Sequence, residues 1–262
     1  MKTYWFTIAC NPEFELLSQD LQLTAQQHGI EIHVVSDIPK EQSATFKREN
    51  ILRLKLESIL NAPSGYDRIA YIDADTLLVD PKGFETLQGS LKEPWRTKRS
   101  LVPGRLDWRQ RQRWRQRLWT LLKQERLEEF CPGGKDFKQE WNTGVITGDR
   151  IFMEALAQEW RRWWDLILDV CDGYFERDQL SYKFAYTLVA RRCYGVETIP
   201  QRYNCIVKRM GFQPDACILH RAGLPKGLKG YRYRQKRHHW ATAKQMIVNN
   251  CYQSWSQSLV EV

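Results

Sequence analysis

The sequence predicts an α/β fold, a mostly parallel sheet flanked by helices, and three observations carry that prediction. Between Thr3 and Ile72 apolar runs alternate with amphipathic stretches as strand, helix, strand, helix, strand, the pattern of βαβ units winding a parallel sheet. The 262 residues are 42% hydrophobic and 27% charged, enough to bury one sizeable core. The third apolar run then delivers two aspartates, Asp73 and Asp75, at its carboxyl end, where sheets of this kind bind ligands.

The elements follow in order. Residues 3–9 form an apolar first strand, and Asn11-Pro12 opens a helix that runs to about Gly29, a natural C-terminal glycine. Ile30–Val35 is the second strand, closed by Asp37 and Pro39. A helix over Ala44–Leu60 places Ile51, Leu52, Leu56, Ile59 and Leu60 at helical spacing, and Pro63-Ser64-Gly65 breaks it. Arg68–Ile72 is the third strand. Residues 91–140 read as a polar, basic insert with a helix from about Asp107 to Phe130, ended by Cys131-Pro-Gly-Gly134. A short strand at Thr143–Thr147 comes next, followed by helices from Asp149 to Val170 and from Arg177 to Ala190. Later strands are expected at Gly195–Ile199 and Ala216–Leu219, with helix at most beyond 240. Trp160, Trp163, Trp164 and Ile167 share a helical face with Phe152 and Leu156 and read as core.

Composition narrows the function classes. The seven cysteines are widely spaced with no C-x-x-C pair, which argues against a disulfide scaffold and a zinc ribbon and for reduced thiols. Met1–Cys10 is apolar only briefly and has no small-residue cleavage site, so it reads as a strand and not as a signal peptide. No run reaches the ~18 apolar residues of a membrane span. The expectation is a cytoplasmic protein, at most peripheral at a membrane. The formal charge of +9 is concentrated. Residues 96–117 hold nine Lys/Arg against Asp107, and residues 221–237 hold seven with no acid, which leaves the rest of the chain negative. Eleven tryptophans suit a carbohydrate enzyme, because indole rings stack on sugar faces, but some must also fill the core.

The sharpest motif is Ile69-Ala-Tyr-Ile-Asp-Ala-Asp-Thr-Leu-Leu-Val79. In extended backbone residues i and i+2 point the same way, so Asp73 and Asp75 can reach one ion together. Two anions at the end of a buried strand are costly unless a cation neutralises them. A hard divalent ion, Mn2+ or Mg2+, takes both carboxylates and still accepts diphosphate oxygens. Two solvated aspartates capping a turn are the plain alternative.

This stretch resembles the D-x-D motif of the retaining GT-A glycosyltransferases, family 8 in particular, and three further segments match in order. Trp141-Asn-Thr-Gly-Val145 is similar to that family's N-[ST]-G-[VI] segment, Glu176-Arg-Asp-Gln-Leu180 to its D-Q segment, and Leu219-His-Arg-Ala-Gly-Leu-Pro-Lys226 to its H-x-x-G-x-x-K segment. The matches span roughly residues 3–226. The resemblance implies a Rossmann-like GT-A domain that moves a hexose from a nucleotide-diphosphate sugar, such as a UDP-sugar, to an acceptor hydroxyl with retention. The acceptor could be a glycan, a glycolipid or a protein. Residues 1–90 would form the nucleotide half, 91–140 the basic insert, 141–226 the sugar and acceptor half, and 227–262 a basic helical extension.

The matched segments also have physical readings. His220, at a strand end, could give a third ligand as neutral imidazole, and one nitrogen beside two carboxylates favours Mn2+. Gly223 lets backbone approach a diphosphate, and Lys226 can set a charge on the leaving phosphate. By resemblance Asn142, Asp178 and Gln179 line the reacting sugar, while Ala9, Cys10, Asn11 and Lys47 or Arg48 meet the nucleoside. Cys10-Asn11 departs from the acidic or amide pair more usual there. Simple turns, a helix N-terminal carboxylate or solvated side chains would account for the same residues without chemistry.

Arg105, Arg109, Arg111, Arg113, Arg115 and Arg117 are interleaved with Trp108, Trp114 and Trp119, and Trp114, Leu118 and Leu121 share a helical face. An anionic membrane, an anionic acceptor glycan, or packing of the tryptophans on the main domain each fit. A basic binding module with a degenerate transferase core is the competing class, for which membrane or nucleic acid would be the partner; as a transferase the chain is not expected to bind nucleic acid. A phosphohydrolase of the haloacid dehalogenase type also uses D-x-D, but as D-x-D-x-T, and position 77 is Leu.

Overall fold

The computed structural model describes residues 1–9, 11–36, 44–93, 108–126, 140–170, 179–192, 197–221 and 231–259. The main sheet holds β1 (Thr3–Ile8), β2 (Ile32–Val35), β3 (Arg68–Ile72), β5 (Gly89–Glu93), β6 (Glu140–Asp149) and β7 (Glu197–Thr198), in the order β2-β1-β3-β6-β5-β7. β2, β1 and β3 are parallel, β6 is antiparallel to both its neighbours, and β5 and β7 are parallel. Of these six strands only β6 is reversed, so the mostly parallel sheet flanked by helices is what the chain forms. A second sheet joins β4 (Thr76–Leu78), β9 (Ile218–His220) and β8 (Cys205–Ile206), with β9 in the middle.

α1 (Pro12–Gln26) starts where the Asn11 side chain accepts hydrogen bonds from the backbone N–H of Glu13 and Phe14, at 2.9 and 3.1 Å, satisfying two of the orphan donors of a helix start. It ends in a Schellman pattern, Ile30 N–H to Ala25 O and Gly29 N–H to Gln26 O, with Gly29 at φ +67. The closing turn takes up the residues after Gln26, so the regular helix stops short of Gly29. α2 (Ala44–Leu60) has the expected bounds, and Leu52, Leu56 and Ile59 are buried while Leu60 faces solvent.

α4 (Arg150–Val170) follows β6 directly and runs back along the sheet. Phe152, Leu156, Trp160, Trp163, Trp164 and Ile167 are all buried as expected, and the Trp160 indole N–H donates to Ser181 Oγ of α5 (Gln179–Arg192) at 3.1 Å. The helix of the basic stretch is α3 (Trp108–Gln124). It buries Trp114, Leu118, Leu121 and Leu122 in the same core cluster as Trp160 and Trp163. α6 (Val207–Met210) follows β8. Then α7 (Tyr231–Val248) and α8 (Tyr252–Ser258) pack Trp240, Ala243, Ile247 and Tyr252 against Leu77 and Phe212, and Lys244 bonds Asp20 of α1 at 2.8 Å.

Four strands, β4, β5, β6 and β8, depart from the sequence reading. β5 was not anticipated and takes residues 91–93 of the supposed insert. β6 runs over Glu140–Asp149 and not only Thr143–Thr147, because it is paired on both sides, by β3 and by β5, and tertiary pairing overrides the turn propensity of Asn142-Thr-Gly144. β4 and β8 were also not foreseen; at three and two residues they are too short to show a period.

A candidate metal centre

β3 ends at Ile72, and the Asp73 backbone N–H extends its pairing to the Gly144 carbonyl of β6 at 2.7 Å. The chain then turns into β4, where Thr76 pairs with His220 of β9. That antiparallel pairing returns a residue 147 positions away in sequence to the side of the aspartates. One ligand atom from each of Asp73, Asp75 and His220 lies within 4.8 Å of the others. His220 Nε2 stands 3.5 Å from Asp73 Oδ2 and 3.2 Å from Asp75 Oδ1.

A chain of hydrogen bonds fixes how His220 presents itself. The backbone N–H of Gly144 can only donate, and it points at Asn142 Oδ1 at 2.7 Å, which makes that atom the amide oxygen. Asn204 then faces Asn142 with its Nδ2, at 3.0 Å, and turns its Oδ1 to His220 Nδ1, at 2.8 Å. An amide oxygen requires a proton on Nδ1. Nε2 of a neutral ring therefore carries its lone pair, directed at two carboxylate oxygens. Three electron-rich atoms facing one another in a buried setting (His220 is 2% exposed) are stable only around a cation or with Nε2 protonated. Asn204 itself is completely buried.

The carboxylates are held too. Asp73 Oδ1 accepts from the Tyr71 hydroxyl and has Lys55 Nζ at 3.7 Å, leaving Oδ2 toward His220. Lys55 is buried and stacks over the Tyr71 ring at 4.4 Å. The Asp75 carbonyl accepts from the Arg221 N–H at 2.9 Å. Gly144 forms the wall: a Cβ there would run into His220 Cε1 and stand 2.7 Å from Asp73 Oδ2 and 2.8 Å from Asn142 Oδ1. The donor set of two carboxylate oxygens and one imidazole nitrogen, with a glycine clearing the space, fits a divalent ion of the Mn2+ or Mg2+ kind. Burial pushes the neighbouring Cys205 thiol up to about 11, so it stays protonated and is no thiolate ligand.

The other expected site residues are placed less directly. Asn142 is beside the centre, but its amide oxygen is taken by Gly144 and Asn204. Asn11 spends its side-chain oxygen on the α1 cap, and Ala9 is buried at the end of β1, donating its N–H to Val35 O. Lys47 lies in α2 and Gln179 opens α5. Cys10, Asp178, Gly223 and Lys226 lie outside the described residues.

Sequence reasoning assigned no role to Asn204, Gly144, Tyr71 or Lys55. Lys55 was visible as a charge interrupting the apolar face of Leu52, Leu56 and Ile59, and Tyr71 as the residue two before Asp73 on the same strand face. Replacing Asn204 with alanine is expected to free the His220 ring and weaken Mn2+ binding about 10–100-fold, read by titration calorimetry, whereas an unchanged affinity would show that the hydrogen-bond chain does not orient the imidazole.

No protein-family model matches the chain, and no curated protein matches it in sequence. Among solved structures the chain is similar to a glycosyltransferase involved in the glycosylation of the major capsid of PBCV-1, with 15% identity, 91% of this chain and 100% of that chain covered, and a TM-score of 0.49.

Proposed function

We propose that this protein is a metal-dependent glycosyltransferase of the GT-A type, which transfers a hexose from a nucleotide-diphosphate sugar, UDP-linked by resemblance, to an acceptor hydroxyl. The observation that carries the reading is the convergence of Asp73, Asp75 and a tautomer-fixed His220 beyond the carboxyl end of a parallel strand. That is where α/β sheets bind ligands, and Asp73, Asp75 and His220 would hold a divalent ion that could also take diphosphate oxygens. In a sugar transfer the charge that develops is on the departing diphosphate, and a bound divalent ion supplies the compensating charge there. Asp73 and Asp75 hold their carboxylates fixed through Tyr71, Lys55 and the β4–β9 pairing, so little reorganisation is needed when the donor arrives. Asp178, Gln179 and Asn142 are proposed to line the sugar, Ala9, Cys10, Asn11 and Lys47 the nucleoside, and Gly223 and Lys226 the diphosphate. Retention follows from the family 8 resemblance alone.

Incubation with a panel of nucleotide sugars and Mn2+, with release of free nucleotide as the readout, tests the proposal. Release from at least one sugar, abolished by chelation, is the expected result. Tight lipid or nucleic-acid binding with no release from any donor would instead favour a binding module on a degenerate core.

A further inference from the structure

α3 is built against its own stability as a free surface helix. Its 17 residues, WRQRQRWRQRLWTLLKQ, contain five arginines, one lysine and no acid. Arg109, Arg113 and Arg117 are spaced four apart, where like charges repel, and the first turn carries basic residues against the positive end of the helix dipole. A surface helix under no other demand mixes charges along that face. Burial of Trp114, Leu118, Leu121 and Leu122 fixes which face looks outward. It is the face with Arg109, Arg113, Arg117 and Lys123, separated by Gln112, Gln116 and Thr120, all exposed. Arg117 also reaches the Val170 carbonyl, at 3.3 Å, and Lys123 lies 5.5 Å from the centroid of the Trp119 ring. Trp108, at the start of the helix, is 71% exposed.

We propose that this face of α3 docks on an anionic lipid bilayer. The cations lie along one side of a straight rod of about 25 Å, which matches a plane of lipid phosphates. An exposed indole at the rod's end suits the headgroup region, where one edge of the ring is apolar and the N–H is wet. Arginine's planar fork bonds phosphate oxygens in pairs. Along the sequence the positive charge is concentrated, the chain outside its two basic segments being net negative. α3 is antiparallel to α4: Arg117 meets Val170 while Glu125 pairs with Arg162. α4 starts at Arg150, beside Asp67 and the beginning of β3, and runs toward the side on which Asp73 lies. The Trp108 end of α3 therefore sits on the metal centre's side of the sheet.

The inference does not depend on the transferase reading, because vesicle binding needs no donor. The test is co-sedimentation of the full chain with phosphatidylcholine vesicles, with and without phosphatidylglycerol, at low and raised ionic strength. Binding is expected only to the anionic vesicles and is expected to fall with salt. The R109Q/R113Q variant should bind roughly thirtyfold more weakly, about fivefold per arginine, and W108A should also lose affinity. All three side chains are exposed, so both variants should keep the wild-type circular dichroism and Mn2+ affinity. Failure to bind anionic vesicles, equal binding by R109Q/R113Q, or preference for single-stranded RNA over vesicles at equal phosphate concentration would overturn the proposal.

Discussion

Substituting Asp75 with asparagine is expected to abolish divalent-ion binding and leave the fold standing. The change is isosteric, and the Asp75 backbone contact to Arg221 N–H, which ties the turn after β3 to β9, does not involve the side chain. What is lost is one of two negative charges facing His220 Nε2. A neutral amide oxygen is a far poorer ligand for a hard ion than a carboxylate. Removal of supporting groups around such sites already costs 10–100-fold in affinity, so loss of a direct ligand should exceed ~100-fold. Calorimetric titration with Mn2+, next to a thermal melt, gives both readouts; wild-type affinity in D75N would remove Asp75 from the site.

Gly144→Ala should be nearly as damaging, for a steric reason. The added methyl overlaps the imidazole carbon of His220 and crowds Asp73 Oδ2 and Asn142 Oδ1. The backbone cannot retreat, because the Gly144 N–H is bonded to Asn142 and its carbonyl to the Asp73 N–H. Of the groups the methyl meets, Asn142 and His220 are buried, and His220 is held by the buried Asn204, so only the Asp73 carboxylate has room to move, away from its place in the site. The expected cost is about 1–3 kcal/mol of stability from overpacking and a loss of Mn2+ affinity of about 100-fold. G144A with native melting behaviour and native affinity would show that the wall is softer than its contacts imply.

How much of this could be read from the sequence follows the physics of each segment. β3 was legible as a short apolar run, buried throughout, and α2 as a 17-residue helix with apolar residues at helical spacing. Asp73 and Asp75 were legible because two carboxylates on an apolar strand need a reason. His220 was legible as the end of an apolar run. β5, Gly-Ser-Leu-Lys-Glu, was not: it alternates weakly and owes its extension to β6 on one side and β7 on the other. β6 was legible only in part, as the short strand Thr143–Thr147, because its first residues, through Asn142, carry turn-forming chemistry and owe their extension to pairing with β5. Asn204 was invisible, since it follows Gln201-Arg-Tyr203 in a short 3-10 turn after Pro200, and an asparagine there reads as turn chemistry. Only the return of β8 alongside β9 brings it under His220.

The centre joins β3, the bulged part of β6 between its two registers with β5, the 3-10 turn before β8, and β9. These pieces come from across most of the chain and touch only once both sheets have formed. Binding of a cation there and completion of the native topology would then be a single linked equilibrium. At a free ion concentration a hundred times Kd, the native state would gain about 2.7 kcal/mol over the unfolded one, so withdrawal of the ion would leave a larger unfolded fraction open to proteolysis.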